Sequence, residues 1–286
     1  MSKLLTRASS INRGLDQIGD KWCLLIIQEV FWGINSFTDL MTAMGVSRGV
    51  LSNRLKWLQS VDCLKQAPEH DGGKRMRYHL TPKSIDMYPM ALMAIAWERK
   101  FFRAPDLDQV ELTHHTCRTV FTPEMRCGHC DELVAAENVS YLPGPGATQD
   151  ERDKKVRRRS SIAISEIPSE RSFYRNLINI VGDRWTANII ALSFHGYNRF
   201  DQFLQELPVA TNILTARLKF LVEEKIFSRT IYQQKPTRYE YKLTEKGAAL
   251  FPYFLALLQW GDTWCNPSGD GKPMHLTHTL CGHSLQ

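Results

Sequence analysis

Histidine and cysteine residues cluster behind position 113 at spacings that suit a metal ion. His114, Cys117, Cys127 and Cys130 follow the pattern His-x2-Cys-x9-Cys-x2-Cys. One imidazole nitrogen and three thiolates form a ligand set that zinc accepts tetrahedrally, with bonds of about 2.0–2.3 Å. Four protein ligands leave no open position for a substrate, so the pattern predicts a structural rather than a catalytic zinc. The alternative interpretation is a small hairpin that carries reduced thiols.

The other cysteines are not arranged as a disulfide framework. The chain has seven cysteines, an odd number, and their clustered arrangement favours a reducing, cytoplasmic location. His278 and Cys281 repeat the His-x2-Cys pair at an offset of 164, without a second Cys-x2-Cys behind them. The remaining cysteines lie in apolar segments, where core packing is the expected role: Cys23, Cys63 and Cys265.

Positive charge without carboxylates marks two further segments. Residues 47–60 contain Arg48, Arg54 and Lys56, and residues 209–222 contain Arg217 and Lys219, with no acidic side chain in either. A helix of this composition suits the major groove of DNA, which is about 12 Å wide. Short polar side chains at each helix start let the backbone approach the bases. The predicted contacts are Ser47, Arg48, Gly49, Ser52, Asn53, Lys56, Thr211, Asn212, Thr215 and Lys219.

A basic hairpin follows each of these helices. In the first, the turn signal at 70–73 precedes an alternating segment, and in the second, residues 229–232 pair plausibly with 238–244. The hairpins place positive charge where DNA phosphates or a minor groove would lie. The predicted contacts here are Lys74, Arg75, Arg77, Lys235 and Arg238. A net charge of +6 agrees with an anionic partner.

The chain carries the same module twice. Ile18-Gly19-Asp20-Lys21-Trp22 returns as Val181-Gly182-Asp183-Arg184-Trp185, and the offset of 163 holds without a gap from residue 9 to about residue 97. A repeat of this length indicates a duplicated domain rather than a solenoid. Two copies imply an internal pseudo-two-fold axis, which suits a two-fold symmetric target.

Each copy reads as helix, short helix, third helix, hairpin and final helix. This order predicts a mostly α fold with small β hairpins (α+β) that forms two tandem winged helix-turn-helix domains. An apolar stripe over Leu15, Ile18, Trp22 and Leu25 marks the opening helix, where Trp22 and its equivalent Trp185 should be structural. The final helices, starting near Met87 and Leu250, are apolar nearly all round. Such helices belong in a core or an interface.

These motifs together resemble the HxlR-type winged-helix regulators. The resemblance rests on Gly-Asp-Lys/Arg-Trp, Leu-Ser/Thr-x-Arg-Leu-Lys, Tyr-x-Leu-Thr and a proline before the last helix, in both copies. It implies DNA-binding transcription factors, often dimers joined through their first and last helices. Some such regulators sense oxidants through a cysteine ahead of the first helix, where Ser9 and Ser172 stand here.

The repeat and the composition divide the chain into five parts. The predicted parts are a winged domain at 9–105, a Cys/His appendage at 106–145, a charged linker at 146–170, a second winged domain at 171–266 and a tail at 267–286. No run of 18 apolar residues is present, so no membrane span is expected. The amino-terminal residues lack the apolar core of a secretory signal.

The function predicted from these observations is sequence-specific, DNA-binding transcriptional regulation, as a repressor that reads two half-sites. Its partner is double-stranded DNA, either as an intramolecular pseudo-dimer or as a homodimer of chains, and no cofactor is required beyond the zinc considered above. No phosphate loop, nucleophile elbow or zinc-protease motif is present. Two alternatives stay open: an interaction module that uses the winged fold only to dimerise, and a thiol- or zinc-dependent enzyme.

Overall fold

The computed structural model describes residues 4–70, 73, 75–102, 111–152, 173–266 and 269–285. Lys74, most of the predicted linker (153–170) and the start of the predicted appendage (106–110) lie outside these residues. Within them, the chain folds into helices and four two-stranded antiparallel sheets. The mixed α and small-sheet architecture predicted from the sequence is confirmed.

The amino-terminal copy, called copy one, contains six helices in the described residues. They are α1 Ser10–Ile18, α2 Lys21–Phe31, α3 Phe37–Met44, α4 Arg48–Ser60, α5 Pro82–Ile85 and α6 Tyr88–Phe101. Copy two repeats them in the same order. Its helices are α7 Arg175–Val181, α8 Arg184–Phe194, α9 Phe200–Glu206, α10 Thr211–Glu223, α11 Glu245–Ala248 and α12 Phe251–Trp264.

Strands form a wing in each copy and also join distant parts of the chain. The strands are β1 Leu4–Arg7, β2 Leu64–Pro68, β3 Met76–Leu80, β4 Val139–Pro143, β5 Gln149–Arg152, β6 Phe227–Gln233, β7 Arg238–Leu243 and β8 Met274–His278. The wings are β2–β3 and β6–β7. β1 pairs with β5, and β4 pairs with β8. Residues 149–152 of the predicted linker are therefore a strand, and the predicted tail shares a sheet with the predicted appendage.

The segment predicted to be one opening helix in each copy folds as two helices, although one apolar stripe runs through both. α1 ends at Ile18, and α2 begins behind Asp20. The Asp20 carboxylate accepts hydrogen bonds from the backbone N–H groups of Trp22 and Cys23, at 3.1 and 3.3 Å. A side chain that satisfies these free donors starts a new helix. Asp183 does the same for α8.

The apolar side of α4 packs into the core of copy one. Leu51, Leu55 and Leu58 are fully buried, so the opposite side of the helix faces solvent. The three cysteines expected in the core are also buried: Cys23, Cys63 and Cys265.

The two copies pack against each other through equivalent elements. α1 lies against α8 and α2 against α7, while α6 of copy one packs on α12 of copy two. Asp20 forms an isolated antiparallel bridge with Asp183, its own equivalent at the offset of 163. Contacts that repeat when the copies are exchanged are the mark of a two-fold interface. The apolar final helices are thus interface helices inside one chain.

Two tryptophans show this reciprocity at the level of single hydrogen bonds. The Trp97 indole donates to the Lys246 carbonyl oxygen at 2.9 Å, and the Trp260 indole donates to the Lys83 carbonyl oxygen at 2.8 Å. Each lysine ammonium also lies over the ring of the opposite tryptophan. The interface therefore fixes the orientation of the copies by directional contacts as well as by apolar burial.

A carboxylate near the end of each final helix accepts hydrogen bonds from the start of the first helix in the other copy. The buried Glu98 carboxylate accepts from the backbone N–H groups of Asn176 and Leu177, both at 3.1 Å, and burial raises the pKa of this carboxyl. In the reverse direction, the Ser10 hydroxyl donates to Asp262 at 2.5 Å. Tertiary contacts of this kind supply the cap that α7 lacks from its own sequence.

We expect Trp22→Ala to destabilise the protein by about 3–5 kcal/mol, because a buried indole leaves a large cavity. Trp22 is only 6% exposed, whereas Trp185 is half-buried, packs against the core and lies under the Arg184 guanidinium. Trp185→Ala should cost distinctly less. Urea unfolding of both variants measures the difference. A Trp22→Ala protein with unchanged stability and lost DNA binding would contradict this assignment.

In the described part of the chain, no helix is both long and apolar enough to cross a lipid bilayer.

Candidate nucleic-acid interface and metal cluster

The start of α4 presents an open polar surface in copy one. The Ser47 hydroxyl caps the helix by accepting from the Val50 N–H at 3.4 Å. Arg48, Asn53 and Lys56 are exposed, and Ser52 is half-exposed. A Cβ added at Gly49 would meet no atom within 4 Å. The backbone here is accessible, as a helix that approaches base edges requires.

The start of α10 is equally exposed but lacks a capping side chain. Thr211, Asn212, Thr215 and Lys219 all face solvent. Ala210 precedes the helix without a side-chain cap, and the Thr215 hydroxyl donates back to the Thr211 carbonyl oxygen at 2.8 Å. The helix extends to Glu223, whose carboxylate lies 3.7 Å from the Lys219 ammonium. Since both groups are exposed, solvent screens this pair.

One basic residue on each helix is structural. The Arg54 guanidinium donates two hydrogen bonds to the Asp20 carboxylate, at 2.8 and 2.9 Å. Its equivalent Arg217 donates to Asp183 at 2.7 Å. These pairs tie α4 to α2 and α10 to α8 inside each copy. They fix the position of each helix within its copy. Arg48 and Lys56 of α4 take no part in these ion pairs.

The wings carry the remaining predicted contacts. Arg75, Lys235 and Arg238 are exposed. Arg77 is instead held inside copy one, where its guanidinium pairs with Glu69 at 2.6 Å and Asp39 at 3.3 Å. Those carboxylates compete with a phosphate for Arg77. Lys74 lies outside the described residues.

Three short turns of one design lie outside the winged domains. Turn A spans residues 113–120, turn B spans 126–133 and turn C spans 277–284, and an isolated β-bridge joins the two ends of each turn. Each has a His or Cys at its second and fifth positions. The residue after the second of these has a positive φ, at Arg118, Asp131 and Gly282. This geometry aims both side chains of a turn to one side.

Turns B and C meet and bring four metal-ligand side chains together. The ligand atoms of Cys127, Cys130, His278 and Cys281 all lie within 4.8 Å of one another. The Cys127 and Cys281 sulfurs are 3.7 Å apart. His278 Nδ1 lies 3.3 Å from the Cys130 sulfur and 3.4 Å from the Cys281 sulfur. Such a cluster could hold a metal ion.

Backbone donors in turn B favour a thiolate at this cluster. Hydrogen bonds from the backbone of Cys130 and His129 lower the pKa of the Cys127 thiol to about 6. The His278 ring is fully buried, and its Nε2 lacks a hydrogen-bond partner among the described residues.

The ligand set predicted from the sequence is corrected at two of its four positions. Cys127 and Cys130 belong to the cluster, whereas His114 and Cys117 do not. His114 Nδ1 lies 3.2 Å from the Cys117 sulfur in the exposed turn A. Sequence order favoured the nearer pair, but the β4–β8 sheet brings turn C to turn B. The repeat of His-x2-Cys at 278–281 was the signal that could have identified it.

Comparison with known proteins finds one helix-turn-helix family model that matches both copies. A family model described as HxlR-like helix-turn-helix matches residues 17–106 and 180–269, more than half of the chain. An uncharacterized HTH-type transcriptional regulator of Mycobacterium tuberculosis (strain H37Rv) is 34% identical over 137 residues. That match covers 48% of this chain and 87% of the relative.

A second relative is similar over one copy's length. The HTH-type transcriptional regulator YodB of Bacillus subtilis is 33% identical over 90 residues, covering 31% of this chain and 80% of YodB. The crystal structure of diamide-treated YodB aligns with a TM-score of 0.28 at 32% identity, covering 33% of this chain and 94% of that chain.

Proposed function

Because the chain belongs to the HxlR-like helix-turn-helix family, we propose that it is a sequence-specific, DNA-binding transcriptional regulator whose two copies read two half-sites of one operator. The observation that carries the proposal is the reciprocal packing of the copies together with an exposed, polar third helix in each. A single chain then presents two recognition surfaces related by a pseudo-two-fold axis. A two-fold operator offers the matching pair of half-sites.

In this proposal, α4 and α10 enter successive major grooves. Arg48, Asn53 and Lys56 read or contact DNA in copy one, and Asn212, Thr215 and Lys219 do so in copy two. The exposed wing residues Arg75, Lys235 and Arg238 contact the phosphate backbone. Phosphate contacts position the protein, and contacts at the helix starts supply the sequence preference.

Repression is the mode of regulation that we propose. A protein bound to both half-sites of an operator covers two successive major grooves, which lie about one helical turn apart. RNA polymerase cannot occupy the same DNA at the same time. A reporter gene whose promoter contains the operator should lose expression when the protein is supplied, and increased expression would contradict repression.

The reduced cysteines and the DNA partner agree with a cytoplasmic location.

Two other functions predict different surfaces. An interaction module that only dimerises needs no basic third helix, yet α4 carries no carboxylate and is exposed at its start. An enzyme built on the Cys/His cluster needs an open metal position. Three cysteines and one histidine supply four ligands and fill a tetrahedral shell.

The direct test is selection of bound sequences from a random duplex pool, followed by binding measurements at several salt concentrations. We expect a selected site with two related halves and an affinity that falls as salt rises, because phosphate contacts release counterions. An affinity without sequence preference would contradict specific recognition, and one that ignores salt would contradict phosphate contact.

Arg48→Ala and Arg75→Ala should each weaken DNA binding without unfolding the protein. Loss of a base contact costs about 1–3 kcal/mol at the preferred site, and loss of a phosphate contact reduces the salt slope by about one. Lys100→Ala is the matched control, since Lys100 is exposed at the end of α6 and pairs with Glu245. Equal affinities in all three variants and the wild type would move the DNA-binding surface elsewhere.

A further inference from the structure

We propose that Cys127, Cys130, His278 and Cys281 bind one zinc ion, which joins the segment behind copy one to the segment behind copy two. This site goes beyond DNA recognition and does not depend on it. Its ligands come from turns B and C, which are separated by more than 140 residues of chain and meet across the β4–β8 sheet.

Three of the six distances among the four ligand atoms match the edges of a tetrahedron around zinc, and all six are within 4.8 Å. Zinc bonds of about 2.3 Å to sulfur and about 2.0 Å to nitrogen give tetrahedral edges of about 3.8 Å between sulfurs and about 3.5 Å between sulfur and nitrogen. The observed edges are 3.7 Å between Cys127 and Cys281, and 3.3 and 3.4 Å from His278 Nδ1 to Cys130 and Cys281.

Hydrogen bonding alone does not account for this arrangement. A neutral imidazole nitrogen has one lone pair, so His278 Nδ1 accepts one hydrogen bond. It nevertheless lies within 3.4 Å of two thiol sulfurs, in a ring that is fully buried. A cation at the centre of the four atoms interacts favourably with all of them at once, and thiolates are the form that zinc binds.

Turn A provides an internal comparison for the proposed site. Turn A and turn C share the His-x2-Cys pair. In each, the backbone N–H four residues after the histidine donates to the histidine carbonyl oxygen, from Arg118 to His114 and from Gly282 to His278. In turn A, no third histidine, cysteine or carboxylate among the described residues completes a metal-binding group with His114 and Cys117. Two ligands do not make a structural zinc site, so turn A should not retain zinc.

The consequence of zinc binding is a fixed connection outside the helical interface. β4 follows turn B and β8 leads into turn C, and Val139 pairs with His278 in the sheet between them. Zinc therefore links the same two segments of the chain that this sheet links. Removal of the metal should loosen turns B and C and the sheet, whereas α4 and α10, which take no part in these turns or in the β4–β8 sheet, should keep their order.

Zinc content tests the ligand set directly. Full-length protein purified under reducing conditions and dialysed against zinc should contain one zinc per chain by elemental analysis. Cys281→Ser and Cys130→Ser should weaken zinc binding by more than about 100-fold, since even loss of an outer-shell partner costs about 10–100-fold. Cys117→Ser makes the same chemical change in turn A and should retain the metal.

Two results would overturn the proposal. Protein that holds no zinc after this dialysis has no such site, and a Cys117→Ser variant that loses zinc as Cys281→Ser does would return the ligands to the sequence-predicted set. Cobalt replacement adds the geometry, because tetrahedral Co²⁺ with three thiolates absorbs strongly in the visible and at the thiolate charge-transfer bands. Weak bands typical of octahedral cobalt would also contradict the site.

Hydrogen exchange on the wild-type protein avoids any folding defect of the variants. A zinc chelator should accelerate amide exchange in turns B and C and in β4 and β8, with turn A and the winged domains unchanged. Acceleration of turn A to the same degree, or no change in turns B and C, would contradict a zinc ion at this cluster.

Discussion

Asp20→Ala should destabilise the protein by about 3–5 kcal/mol, the cost typical of removing one partner from a buried ion pair. The Asp20 carboxylate is nearly inaccessible, at 3% exposure, and the Arg54 side chain is 18% exposed. The substitution removes the cap of α2, which is worth about 1 kcal/mol by itself. It also leaves the Arg54 guanidinium in a largely buried position without its carboxylate.

Asp183→Ala is the matched control, because the repeat places the same pair in copy two. Asp183 caps α8 and pairs with Arg217, but the two side chains are 20% and 29% exposed. Water can solvate the freed guanidinium there, so we expect a smaller loss of about 1–2 kcal/mol. Urea unfolding of the full chain measures both. Equal losses would show that burial does not set the cost of these pairs.

Removing one operator half-site, or changing the distance between the two half-sites, should have the largest effect on DNA binding. Removal of one half-site should weaken binding by about 10²–10⁴-fold, the usual gain from linking two binding modules. An insertion of five base pairs turns the second half-site to the opposite face of the duplex. We expect that insertion to weaken binding as much as deletion of the half-site does.

A ten-base-pair insertion distinguishes a rigid pseudo-dimer from two flexibly tethered domains. It returns the second half-site to the same face, but one helical turn further away. The reciprocal contacts of Trp97 and Trp260 hold the copies in one orientation, so binding should stay weak. Recovery of full affinity would contradict a fixed pseudo-dimer. All four duplexes have to be compared at one salt concentration.

Local sequence signals were sufficient for the winged domains. The apolar stripe of the opening segment predicted a buried face, and its residues are buried: Leu15, Ile18, Trp22 and Leu25. Composition identified the basic, carboxylate-free segment that forms α4. The break between α1 and α2 was missed because the apolar stripe continues across it. Asp20 was the available signal, since an aspartate before a helical segment is a strong N-cap residue.

The metal cluster could be predicted only in part, for a reason of topology. Spacing singled out Cys127 and Cys130, which lie in the cluster, and ligand type favoured zinc. The other two ligands depend on the pairing of β4 with β8, a long-range contact that local patterns do not encode. The ion pair of Arg77 with Asp39 was hidden for the same reason, since it joins a wing to α3.

The most direct test of the central claim is the number of chains on one operator, measured by native mass spectrometry together with hydroxyl-radical footprinting of the same complex. A pseudo-dimer that reads two half-sites predicts one chain per operator and two protected regions centred about 34 Å apart, or one helical turn. Two chains per operator, or protection of a single half-site by one chain, would contradict it.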